Sequence, residues 1–221
     1  MALAESVRWI SMEEECRFCD IVKGYLKGQE NYPIQETQNY LSFASIGALV
    51  EGWVLIVPKE HTLSMKEFYN KKDFVDFSNL MLGLMRNHYS GPFIAFEHGP
   101  NKCGSNTSCG TNHAHLHLVP YANSLYADML GTGLTWESCT TSQISSIAGT
   151  NEYLFYCEIL NDSMWEDPKG FIHILKQPIS QYFRKLIANQ LNCLDEYDYK
   201  KYARIDLAIK TNNVLSETIS F

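Results

Sequence analysis

The sequence predicts an α+β protein: an antiparallel sheet of about five strands with one long helix, plus a C-terminal α/β extension. Three observations carry this. Short apolar runs of strand length, punctuated by Gly and Pro, recur before Tyr121. Phe74, Phe77, Leu80, Met81, Leu84 and Met85 recur at spacings of three and four, the stripe of a helix lying on a sheet. Asn112 to Pro120 alternates histidine with small or apolar residues, the period of a strand.

The elements follow in order. Residues 40–46 and 53–58 read as neighbouring strands, with Gly47 and Gly52 punctuating the link. Ser64 with Glu67 three residues on has the pattern of a capping box. The long helix is expected to end near Asn87–Gly91, where Gly91-Pro92 stops it. Residues 93–97 form a strand, 98–112 a loop rich in Gly, Asn and Ser, and 113–119 a further strand. Residues 122–150 are small and polar, a loop with short elements. Strands are expected at 153–160 and 171–176. Pro178 and Ser180 open a last helix with Tyr182, Phe183, Leu186, Ile187, Leu191 and Leu194 on its apolar side. A charged stretch from Asp195 begins a tail with no assigned role. The chain divides into a first domain, 1–125, and an extension, 126–221, packed on it.

Composition narrows the function. The chain has 221 residues, 45% of them hydrophobic, enough for a real core. A net charge of −7 argues against general nucleic-acid binding. It leaves small anionic ligands open, since these need only a local positive site. No apolar run approaches the ~20 residues needed to span a bilayer, so no membrane association is expected. Met1 to Glu15 lacks the apolar core of a signal peptide. Seven cysteines in such a chain read as reduced thiols or metal ligands, with the cytoplasm as the expected location.

In a strand, His113, His115 and His117 share one face, with Ala114, Leu116 and Leu118 on the other. The second face suits burial. The first is a row of imidazoles, poor as core but suited to phosphate chemistry or a metal.

His-x-His-x-His followed by apolar residues resembles the signature of the histidine triad superfamily of nucleotide hydrolases and transferases. Cys16-Arg17-Phe18-Cys19 resembles the Cys-x-x-Cys entry of many members. Gly52 to His61 resembles the strand ending in Pro-Lys-x-His, and Phe96-Glu97 is similar to the matching region of the galactose-1-phosphate uridylyltransferase branch. The likeness covers residues 16–125, with the motifs in the family's order.

The resemblance implies a fold and a chemistry. His115 is the expected nucleophile: a neutral imidazole attacks phosphorus and forms a nucleotidyl-histidine, dividing one hard step into two. Its other ring nitrogen then needs an acceptor, such as a backbone carbonyl. His117 is expected to donate to a phosphate oxygen or the leaving group. A third histidine marks mainly hydrolases in the family, where glutamine marks many transferases. Candidate substrates are dinucleoside polyphosphates and nucleoside phosphoramidates. Transfer of the nucleotidyl group to phosphate or sugar phosphate is the alternative, and a non-catalytic nucleotide-binding module a third.

Cys16 and Cys19 with His61 and His113 are the family's candidates for one structural zinc, four ligands leaving no open position. Phe18, Ile21, Phe43 and Ile46 suit an apolar base pocket and equally suit plain core. Two positions depart from the family. Gly110 stands where many members have a phosphate-binding serine, so backbone N–H groups with Thr111 or Ser108 would take over. On that reading serine at 110 would be tolerated and valine would crowd the anion. Ser45 stands where an acidic residue often binds ribose. Lys102 is a further loop cation, and His98, Cys103 and Cys109 are a weaker second metal set. His173 reads as a core or interface histidine and His88 as compensating a helix dipole. Short members usually pair, so a homodimer is expected.

Overall fold

The computed structural model describes residues 16–216. The leader expectation at Met1–Glu15 lies outside them. In chain order the elements are α1 (Arg17–Val22), β1 (Gln35–Glu36), β2 (Tyr40–Ala44), β3 (Val54–Pro58), α2 (Lys72–Arg86), β4 (Phe93–Gly99), β5 (Leu116–Pro120), α3 (Tyr126–Gly131), β6 (Glu137–Thr140), α4 (Ile144–Ala148), β7 (Tyr153–Ile159), β8 (Lys169–Ile174), α5 (Tyr182–Gln190) and α6 (Ile205–Ser216).

The fold is α+β, with one antiparallel sheet of eight strands in the order β1-β2-β3-β5-β4-β7-β8-β6. That is more than the five or so expected. The surplus comes largely from beyond residue 126, because β7, β8 and β6 continue the same sheet. β4 explains why. All seven of its residues are buried, so it cannot be an edge. β7 pairs along its whole length, Phe93 opposite Ile159 through Gly99 opposite Tyr153.

Strand alternation sorts side chains into two cores. Val54, Ile56, Ala95, Leu116 and Leu118 face α2, where Phe74, Phe77, Met81, Leu82 and Met85 meet them. Each large side chain buried there contributes roughly 1.5–3 kcal/mol. Leu80 falls off this stripe and is 43% exposed, because Leu82 takes the buried position instead. On the opposite face Trp53, Leu55, Val57, Phe96 and Val119 pack against Phe18 of α1 and Phe183, Ile187 and Ala188 of α5.

Several boundaries move. The strand expected at 113–119 begins at Leu116, paired with Ile56, and Pro58 ends its neighbour β3 shortly beyond. The histidine segment therefore leaves the sheet before Leu116. Ser64 makes no capping bond at the 3-10 turn Met65–Glu67. The Met65 N–H donates instead to the buried Glu97 carboxylate at 2.6 Å. A capping box does form, between Thr140 and Gln143. Leu191 and Leu194 lie beyond α5 and are 36% and 51% exposed. The tail carries α6, whose Asn212 accepts from the Ala44 N–H and donates to the Gln29 carbonyl. No described helix is long and apolar enough to cross a membrane.

Candidate active site

Three neighbouring histidines are set by three different partners. β5 places His117 opposite Leu55 of β3 and Phe96 of β4. The Phe96 ring stacks on its imidazole at 4.5 Å between centroids. The Trp53 indole N–H donates to His117 Nδ1 at 2.9 Å. An indole only donates, so His117 Nδ1 is the acceptor and its proton sits on Nε2.

His115 has the opposite tautomer. Its Nδ1 lies 2.8 Å from the His113 carbonyl, which only accepts, so the proton is on Nδ1 and Nε2 carries a lone pair. The backbone acceptor expected for this histidine is therefore present. Its ring centroid lies 4.9 Å from that of His117. Burial lowers both residues' pKa, and at His117 the neighbouring His115, His98 and Arg184 add to the effect. Both are neutral imidazoles at neutral pH.

His113 turns away from the other two. Its Nε2 donates to the Pro58 carbonyl at 2.8 Å, leaving Nδ1 bare. That Nδ1 lies 3.4 Å from Cys16 Sγ and 3.6 Å from Cys19 Sγ, while His61 Nδ1 lies 3.2 Å from Cys19 Sγ. All four ligand atoms fall within 4.8 Å of one another. Atoms about 2.0–2.3 Å from one centre in a tetrahedron are about 3.3–3.8 Å apart, so the set fits a tetrahedral metal ion. The Pro58 carbonyl supplies the outer hydrogen bond that such a histidine ligand needs. Three distant segments meet here: the start of α1, the turn after β3 and the approach to β5.

Among the described residues, His98, Cys103 and Cys109 form no metal cluster. Cys109 Sγ accepts from the Gln181 N–H at 3.1 Å, tying the loop to the start of α5. Phe18, Ile21 and Phe43 are core residues. Phe18 packs edge-on against Phe43, His113 and His115. Ser45 and Ile46 do reach the triad cavity, as do Ser108 and Thr111. Gly110 has φ +92°, and a Cβ there would meet Lys200 Nζ at 2.7 Å. Serine at 110 is therefore strained, contrary to the tolerance expected for it.

The cavity against His115 and His117 is small, about 50 Å³. Arg17, His98, Arg184 and Tyr199 complete its wall. Arg184 and Tyr199 were unmarked in the sequence, and His98 and Arg17 were not placed at the triad. Arg184 sits inside the apolar run of α5, and Tyr199 lies in the tail. A larger groove of about 560 Å³ beside β8 shares no lining residue with this cavity. The triad chemistry, not pocket size, marks the site.

No protein-family model matches the chain. It is 28% identical over 112 residues to an uncharacterized HIT-like protein of Borreliella burgdorferi, covering 48% of this chain and 75% of that one. It is 27% identical over 123 residues to the adenosine 5′-monophosphoramidase hnt1 of Schizosaccharomyces pombe, covering 56% and 84%. The chain is similar to proteins of the histidine triad superfamily. A zinc-bound histidine triad family protein of Mycobacterium smegmatis aligns with it at a TM-score of 0.38 and 25% identity, over 51% of this chain and 78% of that one. Two of the cavity residues, Arg184 and Tyr199, come from the C-terminal part.

Proposed function

We propose that this protein hydrolyses nucleoside phosphate derivatives, dinucleoside polyphosphates or nucleoside phosphoramidates, through a nucleotidyl-histidine at His115. One observation carries the reading: two adjacent imidazoles with opposite tautomers, a bare Nε2 on His115 and an Nε2–H on His117. The first is a nucleophile and the second a donor.

His115 Nε2 attacks the phosphorus as the bond to the leaving group breaks. The leaving group carries off the bonding pair, a phosphate as its anion and an amine together with a proton taken from solvent. The ring becomes cationic, and its Nδ1–H stays bonded to the His113 carbonyl, which stabilises that charge. His117 Nε2–H donates to a phosphate oxygen where negative charge builds up. Water then attacks phosphorus and gives its proton to solvent. The P–N bond breaks and its pair returns to His115 Nε2.

Zinc fits the four-ligand cluster, and we read it as structural: bound there, it would cross-link α1, the turn after β3 and the triad segment. We also read residues 1–125 as the triad domain and 126–221 as an extension packed on it, and the assembly as a homodimer.

The test is mass spectrometry after brief incubation with a nucleotide panel. A nucleotide-sized adduct on a peptide containing His115 is expected, absent in His115→Ala. Turnover with no adduct, or a kcat in His115→Ala within a few-fold of the parent, would remove His115 as nucleophile, since loss of a covalent catalyst costs about a thousandfold or more.

Nucleotidyl transfer to phosphate or a sugar phosphate is the second reading. The two guanidinium groups on the cavity wall favour it, because they suit an anionic acceptor. Product analysis with and without added phosphate separates the two.

A further inference from the structure

Arg184 is a buried positive charge that forms an ion pair with no described carboxylate. It is 3% exposed, on a helix whose other buried residues are Tyr182, Phe183, Ile187 and Ala188. Its Nε donates to the Tyr197 carbonyl at 2.9 Å and its Nη2 to the Gly47 carbonyl. The guanidinium carbon lies 4.9 Å from the Trp53 ring centroid. Among the described residues it makes no ion pair. Asp198 acts on it through space. That carboxylate is instead hydrogen-bonded to the Lys200 N–H and, at 3.4 Å, to the Gln181 side-chain amide. Burial lowers Arg184 only to about 10, so it stays charged at neutral pH.

His98 is the second unusual group. It is 5% exposed, and its Nε2 is buried with no hydrogen-bond partner among the described residues. Burial pushes its pKa down to about 3, helped by His115, Arg184 and Lys185, so it is a neutral ring. His98 and Arg184 both line the cavity that holds His115 and His117. Arg17 lines it too, with Nη2 on Asn31 Oδ1 at 2.7 Å and only a through-space attraction to Glu30. A clasp between two carbonyls accounts for Nε and Nη2 of Arg184. It does not account for the unpartnered nitrogen of His98, nor for a buried cation beside two imidazoles whose nearest acidic influence, Asp198, makes no ion pair with it. Both features are costly unless an acceptor arrives.

We propose that Arg184 and His98 form an oxyanion site that holds a phosphoryl group beside His115. This deepens the reading of His115 as nucleophile and rests on it for the substrate class. A guanidinium beside the reacting phosphorus suits a group that leaves or arrives as an oxyanion, and gives nothing to a neutral amine. The site therefore favours phosphoanhydride substrates over phosphoramidates. The phosphoryl group comes from free phosphate or from the nucleotide's own phosphate chain; the chemistry recognised is the same.

Calorimetric titration of the full chain with inorganic phosphate, ADP and adenosine tests this, comparing the parent with Arg184→Gln, Arg184→Lys and His98→Gln. Phosphate or ADP affinity is expected to fall about tenfold or more in Arg184→Gln, the usual loss for a hydrogen bond to a charged group. Arg184→Lys should recover part of it, His98→Gln should weaken the same ligands, and adenosine affinity should stay within twofold. A loss confined to ADP supports the site and puts its phosphoryl group on the nucleotide. A loss for free phosphate supports it and makes that ion a ligand in its own right. No loss for either, or an equal loss for adenosine, overturns the site. None of these titrations needs His115 to react. A missing His115 adduct with intact Arg184-dependent binding would remove the nucleophile and leave the oxyanion site standing.

Discussion

Glu97 shows how closely a single residue's two neighbours can diverge in role. Alternation along β4 sends Phe96 and His98 toward the triad and Glu97 toward α2. The Glu97 carboxylate accepts from the Met65 N–H and from the hydroxyls of Tyr69 and Tyr153 at 2.6–2.7 Å. Burial outweighs these bonds and raises its pKa from 4.5 to about 7. An acid with a raised folded-state pKa binds more protons when folded, so its contribution to stability is full below about 4.5 and lost as pH rises through about 7. Glu97→Gln is expected to remove that slope, changing the stability gap to the parent by a few kcal/mol between pH 5 and 8, with the variant gaining relative to the parent at the higher pH. Denaturant titrations at both pH values measure it, and a constant gap would contradict the raised pKa. Residues such as His113, His115 and His117 were legible in the sequence because their spacing is a chemical pattern. His98, Trp53 and Arg184 were not, because their roles depend on which way a strand or helix faces, and that is decided by partners far along the chain.

At the scale of elements, the cluster of Cys16, Cys19, His61 and His113 ties α1 to the triad segment. One zinc per chain is expected by elemental analysis. Its removal by a chelator should lower the melting temperature, since binding energy is then lost from the folded state alone. Metal-free protein with an unchanged melting temperature on chelation would rule out the zinc. Two glycines offer a contrast in how backbone and packing act. Gly83, inside α2, has open space where a Cβ would go, so Gly83→Ala should stabilise by up to about 1 kcal/mol. Gly47 has φ +70°, and a Cβ there would lie 2.4 Å from Tyr199 Cβ and 2.9 Å from its Cα. Gly47→Ala should destabilise by about 1–3 kcal/mol. Thermal melts of the pair check both signs, and equal shifts would refute the packing argument. The long helix was legible because Phe74, Phe77, Met81 and Met85 keep a strict period. The start of β5 was not, because the histidine alternation runs on past the last residue with a pairing partner.

For the whole molecule, the first half was readable from motifs, and in the second half the apolar runs announced β7, β8 and α5 but not β6 or α6. β6 carries only one buried residue, Cys139, and nothing in Glu137–Thr140 announces a strand. It forms because β8 offers it an edge, Glu137 opposite Ile172 through Thr140 opposite Lys169. The tail was opaque for a similar reason: Thr211 and Asn212 of α6 are buried to meet backbone groups at Gly52, Ala44 and Gln29, and short polar residues give no periodic signal. The homodimer reading is checked by the solution mass. Light scattering should give twice the 25.3 kDa of one chain at working concentration, and a value near 25.3 kDa decides for a monomer.

The tail closes over the triad. The Gly47 N–H donates to the Ala203 carbonyl, Arg184 reaches the Gly47 carbonyl, and the Tyr199 hydroxyl donates to the Cys109 carbonyl at 2.7 Å. The 50 Å³ that remains is far below the roughly 300 Å³ or more of ordinary small-molecule pockets. The nucleotide of the proposed function needs more room than this, so the tail has to shift before it can bind. On that proposal only the fraction of molecules already ajar would take up nucleotide, and apparent affinity would be reduced by that fraction. Stopped-flow traces should show an association rate that levels off as nucleotide concentration rises, with a plateau slowed by added viscogen. A rate that climbs linearly throughout would mean that the entrance stands open in solution.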